Sequence, residues 1–163
     1  MDNIKFYEIS NKYIDYLSPH APHLFLNKKP RQRNERKYIG IILHINNVDY
    51  FAPLSSFKPK HKTMDEMLDF IKIKNYAVIN LNNMFPVPGG VYSLKNPNTE
   101  QNCQYKTLLN NEIRIIKQKS EIIISNAKAV YEHKMTNDGK SKLSQRCNDF
   151  KLLEIKCREY KSK

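Results

Sequence analysis

No apolar run in this sequence approaches the roughly 20 residues that a membrane-spanning helix requires; the longest reaches only from Tyr38 to Leu43. Met1 leads straight into the charged MDNIKFYEIS, without the apolar core of a signal peptide, so a cytoplasmic location is expected. Cysteine is scarce as well: Cys103, Cys147 and Cys157 are odd in number and lack CxxC spacing, which points to free thiols rather than a disulfide framework. The five histidines add no zinc pattern, and no metal or cofactor is expected. His20 and His23 in PHAPH could share a metal, but no carboxylate or thiol lies nearby in sequence, and a polar loop holding two prolines is the favoured reading. With four glycines and no GxxxxGK[ST] pattern, Gly89-Gly90 reads as a turn rather than a phosphate cradle. The last shortage is of acid. Sixteen Asp and Glu face 28 Lys and Arg, giving a net charge of +12 and a pI near 9.6, a balance that favours a polyanionic partner, nucleic acid or anionic membrane.

What is present fits one domain over residues 1–163, with no linker, internal repeat or low-complexity segment, and 40% hydrophobic residues argue against disorder. IKFYEI reads as a short strand, and Ser10 then caps a helix through NKYIDYL that Pro19 and Pro22 end. Residues 18–37 are irregular; their second half, KKPRQRNERK, carries Lys28, Lys29, Arg31, Arg33, Arg36 and Lys37 against Glu35 alone, and reads equally as a solvated loop or an RNA-phosphate contact. KYIGIILHI and VDYFAPL are β-branched and aromatic runs around Asn46-Asn47, a pair that tolerates the positive φ of a type I′ turn, and so predict a β-hairpin. Both faces of its first strand are largely apolar, which places it centrally in a sheet with His44 as a satisfied core or edge histidine. Pro53 cannot donate to a ladder, so pairing is expected to stop there. TMDEMLDFIKI predicts a helix with Thr63 as cap, Glu66 closing a capping box and Met64, Met67, Leu68 and Ile71 on its packing face. YAVINL and VYSL predict strands on either side of a turn-rich NNMFPVPGG. A long helix from Asn102 to about Asn137, broken near Ser125-Asn126, precedes a stop at Gly139 and a terminal helix whose apolar face docks while its basic face stays free.

Residues 51–62, FAPLSSFKPKHK, begin as a strand and end as hydroxyls, lysines and a histidine, with no Asp or Glu between Tyr50 and Thr63. Phosphodiester recognition uses such donors and cations, and RNA cleavage by its own 2′-hydroxyl needs charge stabilised on the non-bridging oxygens, which Lys, Arg, Ser and His supply without a metal. Paired-carboxylate chemistry is disfavoured, because Asp65 and Glu66 fall in the first turn of the expected helix. Lys37 and Ser56 each lie nine residues from the nearer turn asparagine, so the hairpin is expected to set them opposite each other and gather two basic clusters at one end. From the residues alone, both a phosphate-handling site and a basic rim remain open.

IKFYEISNKYIDYL, then KYIGIIL followed by DYFAPLSSFKPKH, then AVINLNNMFPVP resemble, in that order and spacing, the type III toxin-antitoxin endoribonucleases of the ToxN/AbiQ family. The resemblance covers most of the first 110 residues and, more weakly, the C-terminal part. It implies an α+β fold, a compact and strongly curved antiparallel sheet similar to the Kid/MazF toxins, flanked by helices. It further implies a toxin that cuts cellular mRNA at specific sequences without a metal, leaving a 2′,3′-cyclic phosphate and a 5′-hydroxyl. The implied antitoxin is a small repeat-derived RNA that the toxin processes; as a pseudoknot it occupies the toxin's basic groove in a closed RNA-protein assembly used for phage defence or plasmid maintenance.

Matched residue by residue, the family's hydroxyl pair, lysine and histidine imply Ser55, Ser56, Lys58 and His61 as catalytic, with Ser55 in place of the usual Thr and Phe57 in place of Pro. A second basic residue before the family's [FY]IG strand corresponds to Arg36 or Lys37, and an upstream tyrosine of some members has no counterpart in RQRNERK. Lys28, Lys29, Arg31, Arg33, Lys60, Lys62, Arg146, Lys151, Lys156 and Arg158 are the expected RNA-gripping side chains. The competing functions are a non-catalytic RNA- or DNA-binding module on the same surface and an interaction domain whose charge is incidental.

Overall fold

The computed structural model describes residues 4–22, 37–137 and 139–160. Seven strands form one antiparallel sheet: β1 (Lys5–Ile9), β2 (Lys37–Ile45), β3 (Val48–Ser56), β4 (Phe70–Ile73), β5 (Ala77–Asn80), β6 (Phe85–Val87) and β7 (Tyr92–Leu94). The order is β4-β5-β3-β2-β1-β7, with β6 also on β3. Helices α1 (Asn11–Leu17), α2 (Cys103–Gln118), α3 (Ser120–Thr136), α4 (Lys142–Arg146) and α5 (Phe150–Glu159) cover the sheet. Among the described residues no helix is long and apolar enough to cross a membrane.

The β2–β3 hairpin organises everything else. Asn46 (φ 53°) and Asn47 (φ 64°) take the left-handed conformation that a type I′ turn requires. Alternation along the strands then divides the core. Phe6, Ile39, Tyr50, Ala52, Leu54, Ile71 and Ile79 face one way and pack beneath Leu109, Ile116, Ile123, Ala127 and Val130 of α2 and α3. Tyr38 and Phe51 face the other way, against Tyr13, Ile14 and Leu17 of α1 and Leu153 of α5. Each fully buried Leu, Ile or Phe side chain contributes roughly 1.5–3 kcal/mol by leaving water.

Several sequence expectations need correction. Pairing does not stop at Pro53, which lies opposite Tyr38 while β3 continues to Ser56. On its other edge β3 pairs β6 through residues 49–51 and β5 through residues 54–56, so Pro53 falls in the gap between two partners, where a missing donor is tolerated. The hairpin register also shifts: Leu43 is opposite Tyr50 but Ile39 is opposite Ala52, so three residues of β2 face Phe51 alone. Gly40 lies in this bulge, and a Cβ there would fall 2.3 Å from the Phe51 ring. As a result Lys37 pairs with Leu54, not Ser56.

Residues 63–73 form no helix. Met67 and Phe70 bridge across a tight turn, and 70–73 are β4 on β5. Met64, Met67 and Leu68, expected to pack, are exposed, and Glu66 accepts from the Lys72 N–H (2.8 Å) and the Lys119 ammonium (3.2 Å) instead of capping a helix. NNMFPVPGG contains a strand, β6, with Pro86 opposite Tyr50. The long helix breaks at Lys119 rather than at Ser125-Asn126, where the Lys119 ammonium also reaches the Lys72 carbonyl (2.8 Å). Ser10 precedes α1 without a side-chain capping bond. His44 is exposed and pairs with Asp49 across the strands at 2.6 Å.

Candidate active site

The candidate residues of β2 and β3 meet at the open end of the hairpin. Residues opposite one another in a ladder share a face and those two apart along a strand share it again, so Lys37, Leu54 and Ser56 all lie on the face that packs beneath α2 and α3. Ser56 is exposed, and Lys37 and Ser56 are diagonal neighbours, a separation of about 7–8 Å at the backbone. Ser55, paired with Val78, falls on the opposite face. The two hydroxyls of the pair therefore flank the end of β3 rather than standing side by side.

Beyond Ser56 the chain makes one 3-10 turn, Pro59–Lys62, locked by a reciprocal pair of bonds. The Lys58 N–H donates to His61 Nδ1 and the His61 N–H donates to the Lys58 carbonyl, each at 2.8 Å. A nitrogen that accepts from an amide carries no proton, so the neutral His61 ring holds its hydrogen on Nε2. Burial, followed by the nearby charges of Lys60, Lys58 and Lys72, pushes the His61 imidazole below its ordinary value. The ring packs at 5.5 Å from Phe57 and 5.6 Å from Phe70. His61 thus anchors the turn from inside while Lys58, Lys60 and Lys62 are exposed on it.

Lys37 is held differently. Its ammonium donates to the Tyr105 hydroxyl at 2.6 Å and lies 4.7 Å from the centre of that ring. Tyr105 stands in the first turn of α2, whose N-terminus is capped by Asn102 accepting from the Tyr105 N–H at 2.9 Å. On the same inner stripe of α2 lies a group that the sequence reading did not single out: Glu112, two turns along the helix and 3% exposed, with Oε1 buried and lacking any hydrogen-bond partner. Its signal was its place on the stripe Tyr105, Leu109, Glu112, Ile116, where a surface carboxylate does not belong.

The remaining predicted residues scatter. Arg36, Lys28, Lys29, Arg31 and Arg33, like His23, lie outside the described residues. Arg146 clamps the buried Asp69 through two bonds of 2.7 and 2.8 Å, so its charge is already matched inside the protein. Lys151 is exposed on α5 and Lys156 pairs with Glu159 at 3.5 Å. Arg158 donates to the Asn46 carbonyl at 2.7 Å, at the tip of the hairpin. That tip is a strand's length from Ser56, about 25–30 Å at the usual rise per residue. Arg158 and the Ser56–Lys58 end therefore lie at opposite ends of the hairpin. Among the described residues no three His, Cys, Asp or Glu side chains come together as a metal site would need.

A family model for toxin ToxN of type III toxin-antitoxin systems matches residues 5–158. The chain belongs to the ToxN family. It is 32% identical to an endoribonuclease ToxN of Bacillus thuringiensis subsp. kurstaki, across 99% of this chain and 87% of that protein. It is likewise 32% identical to an endoribonuclease ToxN of Pectobacterium atrosepticum, across 96% and 94%. The fold agrees: a solved chain from work on a processed non-coding RNA that regulates a bacterial antiviral system superposes with a TM-score of 0.83 at 31% identity, covering 97% of this chain and 99% of that one. A second, from work on selective inhibition of a type III toxin by a non-coding RNA pseudoknot, gives 0.82 at 30% identity, covering 99% and 100%. The α+β architecture with helices flanking an antiparallel sheet is thus that of the ToxN family, and the segment matched by the family model includes both the β3 exit and the Lys37–Tyr105 pair.

Proposed function

We propose that this chain is a metal-independent, sequence-specific endoribonuclease, the toxin of a type III toxin-antitoxin pair. The observation that carries the reading is the placing of Lys37 and Ser56 on one face of the hairpin's open end, with the Lys58 turn immediately beyond, in a member of the ToxN family. The RNA 2′-oxygen attacks the adjacent phosphorus and loses its proton, the bond to the 5′-oxygen breaks, and that oxygen takes up a proton. The products are a 2′,3′-cyclic phosphate and a 5′-hydroxyl. Charge accumulates on the non-bridging oxygens, so the largest contribution expected of the protein is fixed positive charge and hydroxyl donors aimed at them. Lys58, with Lys37 or Arg36, holds the phosphate; Ser56 orients one oxygen, and Ser55 borders the other face.

His61 is assigned to shaping the turn, since its Nδ1 already accepts the Lys58 amide. A lysine is left to protonate the leaving oxygen. By likeness to the relatives whose solved structures concern an inhibitory RNA, the antitoxin is a small repeat-derived RNA that folds as a pseudoknot, is processed by the toxin and joins it in a closed assembly. Cellular mRNA is the target, and phage defence the role that fits the family. Incubating bulk bacterial RNA with the purified protein and chelator tests this: cyclic-phosphate ends support the enzyme, and intact RNA that remains bound supports a non-catalytic binding module instead.

A further inference from the structure

Glu112 takes no part in the cleavage step, and its setting is unusual. The carboxyl is 3% exposed, Oε1 is buried without a hydrogen-bond partner, and it shares the inner stripe of α2 with Tyr105, which holds the Lys37 ammonium at 2.6 Å. Of the elements packed against α2, β4 carries Lys72 and α3 carries Glu121, Lys128, Glu132, His133 and Lys134, yet the charge that acts on Glu112 among the described residues is Lys37 of β2. A buried, unpartnered carboxyl that feels the charge of Lys37, a cation assigned above to the phosphate, puts two anions under the influence of one ammonium.

Resting on the RNA-cleaving reading above, we propose that Glu112 is a positioning residue that acts through Lys37: its carboxylate and an RNA phosphate compete for the Lys37 ammonium, so that RNA binding at this site takes up a proton onto Glu112. Linkage makes the effect reciprocal. A phosphate drawn to Lys37 disfavours ionised Glu112, and ionised Glu112 weakens the phosphate contact by the same factor. The pH range is set by burial, which raises the Glu112 carboxyl to about 7 against a smaller opposing pull from Lys37. The device therefore works near neutrality.

The test uses the full chain and a random-sequence 2′-O-methylated RNA oligonucleotide, which lacks the attacking hydroxyl and stays intact. Binding is followed by fluorescence anisotropy from pH 6 to pH 8, for the native protein and for Glu112→Gln. The native protein should lose about tenfold in affinity over that range, within the roughly 5–150-fold typical of coupling between two sites. Glu112→Gln should lose much less, keeping only what surface histidines contribute. Calorimetry of the native protein in two buffers of different ionisation enthalpy should show proton uptake near pH 7, and this uptake should shrink in Lys37→Met, which keeps the readout available if Glu112→Gln folds poorly. Equal pH dependence in the native and Glu112→Gln proteins, or undiminished uptake in Lys37→Met, would overturn the proposal while leaving the nuclease reading intact. An oligonucleotide that does not bind at any pH would instead remove the RNA-directed reading, and this proposal with it.

Discussion

Replacing Glu112 by glutamine should stabilise the protein at pH 8 far more than at pH 5. In the folded chain burial raises this carboxyl from 4.5 to about 7, so the native state holds a proton that the unfolded chain has already released. Its contribution to stability is full below the unfolded value and is lost as pH rises through 7. The loss amounts to about 3 kcal/mol when complete, at about 1.4 kcal/mol per pH unit of separation. That is a large share of the roughly 5–15 kcal/mol that holds a domain together. Some of it is already spent at pH 5, so the expected difference between the two pH values is about 2–3 kcal/mol. Glutamine matches the neutral acid in shape and does not ionise, so packing differences cancel when the same pair of proteins is compared at both pH values. Urea unfolding at pH 5 and pH 8, with unchanged m-values, gives the four free energies required. If Glu112→Gln changes stability equally at both, the carboxyl is not ionising against burial and the reasoning about this site fails.

Three further outcomes are expected. Glu154 accepts from the hydroxyls of Tyr50 (2.6 Å) and Tyr131 (2.7 Å) and from the Asn46 amide (3.1 Å), so Glu154→Ala strands two buried donors and should cost about 3–5 kcal/mol in urea unfolding, with Glu154→Gln costing less. Arg146→Ala leaves Asp69 buried without its cation; because the Arg146 side chain is 37% exposed, the loss should be about 2–3 kcal/mol, below that of a fully buried pair, and Asp69→Asn in the same protein should recover part of it. His61→Ala removes the acceptor of the Lys58 amide and should slow RNA cleavage while costing about 1–3 kcal/mol. Because the folded imidazole lies below its ordinary value, the stability that His61 contributes is full above about pH 6.5 and falls as pH drops, and urea titrations of the alanine variant should lack that acid-side loss.

The hairpin was legible because β-branched and aromatic runs flanked a residue pair suited to positive φ. Its register was not, since the two additional residues of β2 are accommodated where Gly40 meets the Phe51 ring, a contact between residues eleven apart that no local pattern records. Residues 63–73 misled because Met64, Met67, Leu68 and Ile71 mimic a helical stripe; pairing of 70–73 with β5 overrides it, and the true period is the alternation of Ile71 and Ile73 inside with Lys72 outside. Strand β6 was hidden by Pro86 and Pro88, which an edge position tolerates. Ser55, Ser56, Lys58 and His61 could be proposed from sequence because they fall within one short stretch that matches the family's motif. The burial of Glu112 is signalled by its place on the α2 stripe, but its relation to Lys37 depends on the Lys37–Tyr105 contact, between residues 68 apart in the chain.

The central claim is that the end of β3 and the turn after it cut RNA. The most direct measurement follows purified protein, Ser56→Ala and Lys58→Ala on bulk bacterial RNA, reading both rate and product ends, with urea midpoints as the control for folding. The native protein should give cyclic-phosphate products, and each variant should lose about 100-fold or more in rate, the scale of removing one donor to a developing oxyanion, with midpoints unchanged. Folded variants that cut at the native rate would contradict it.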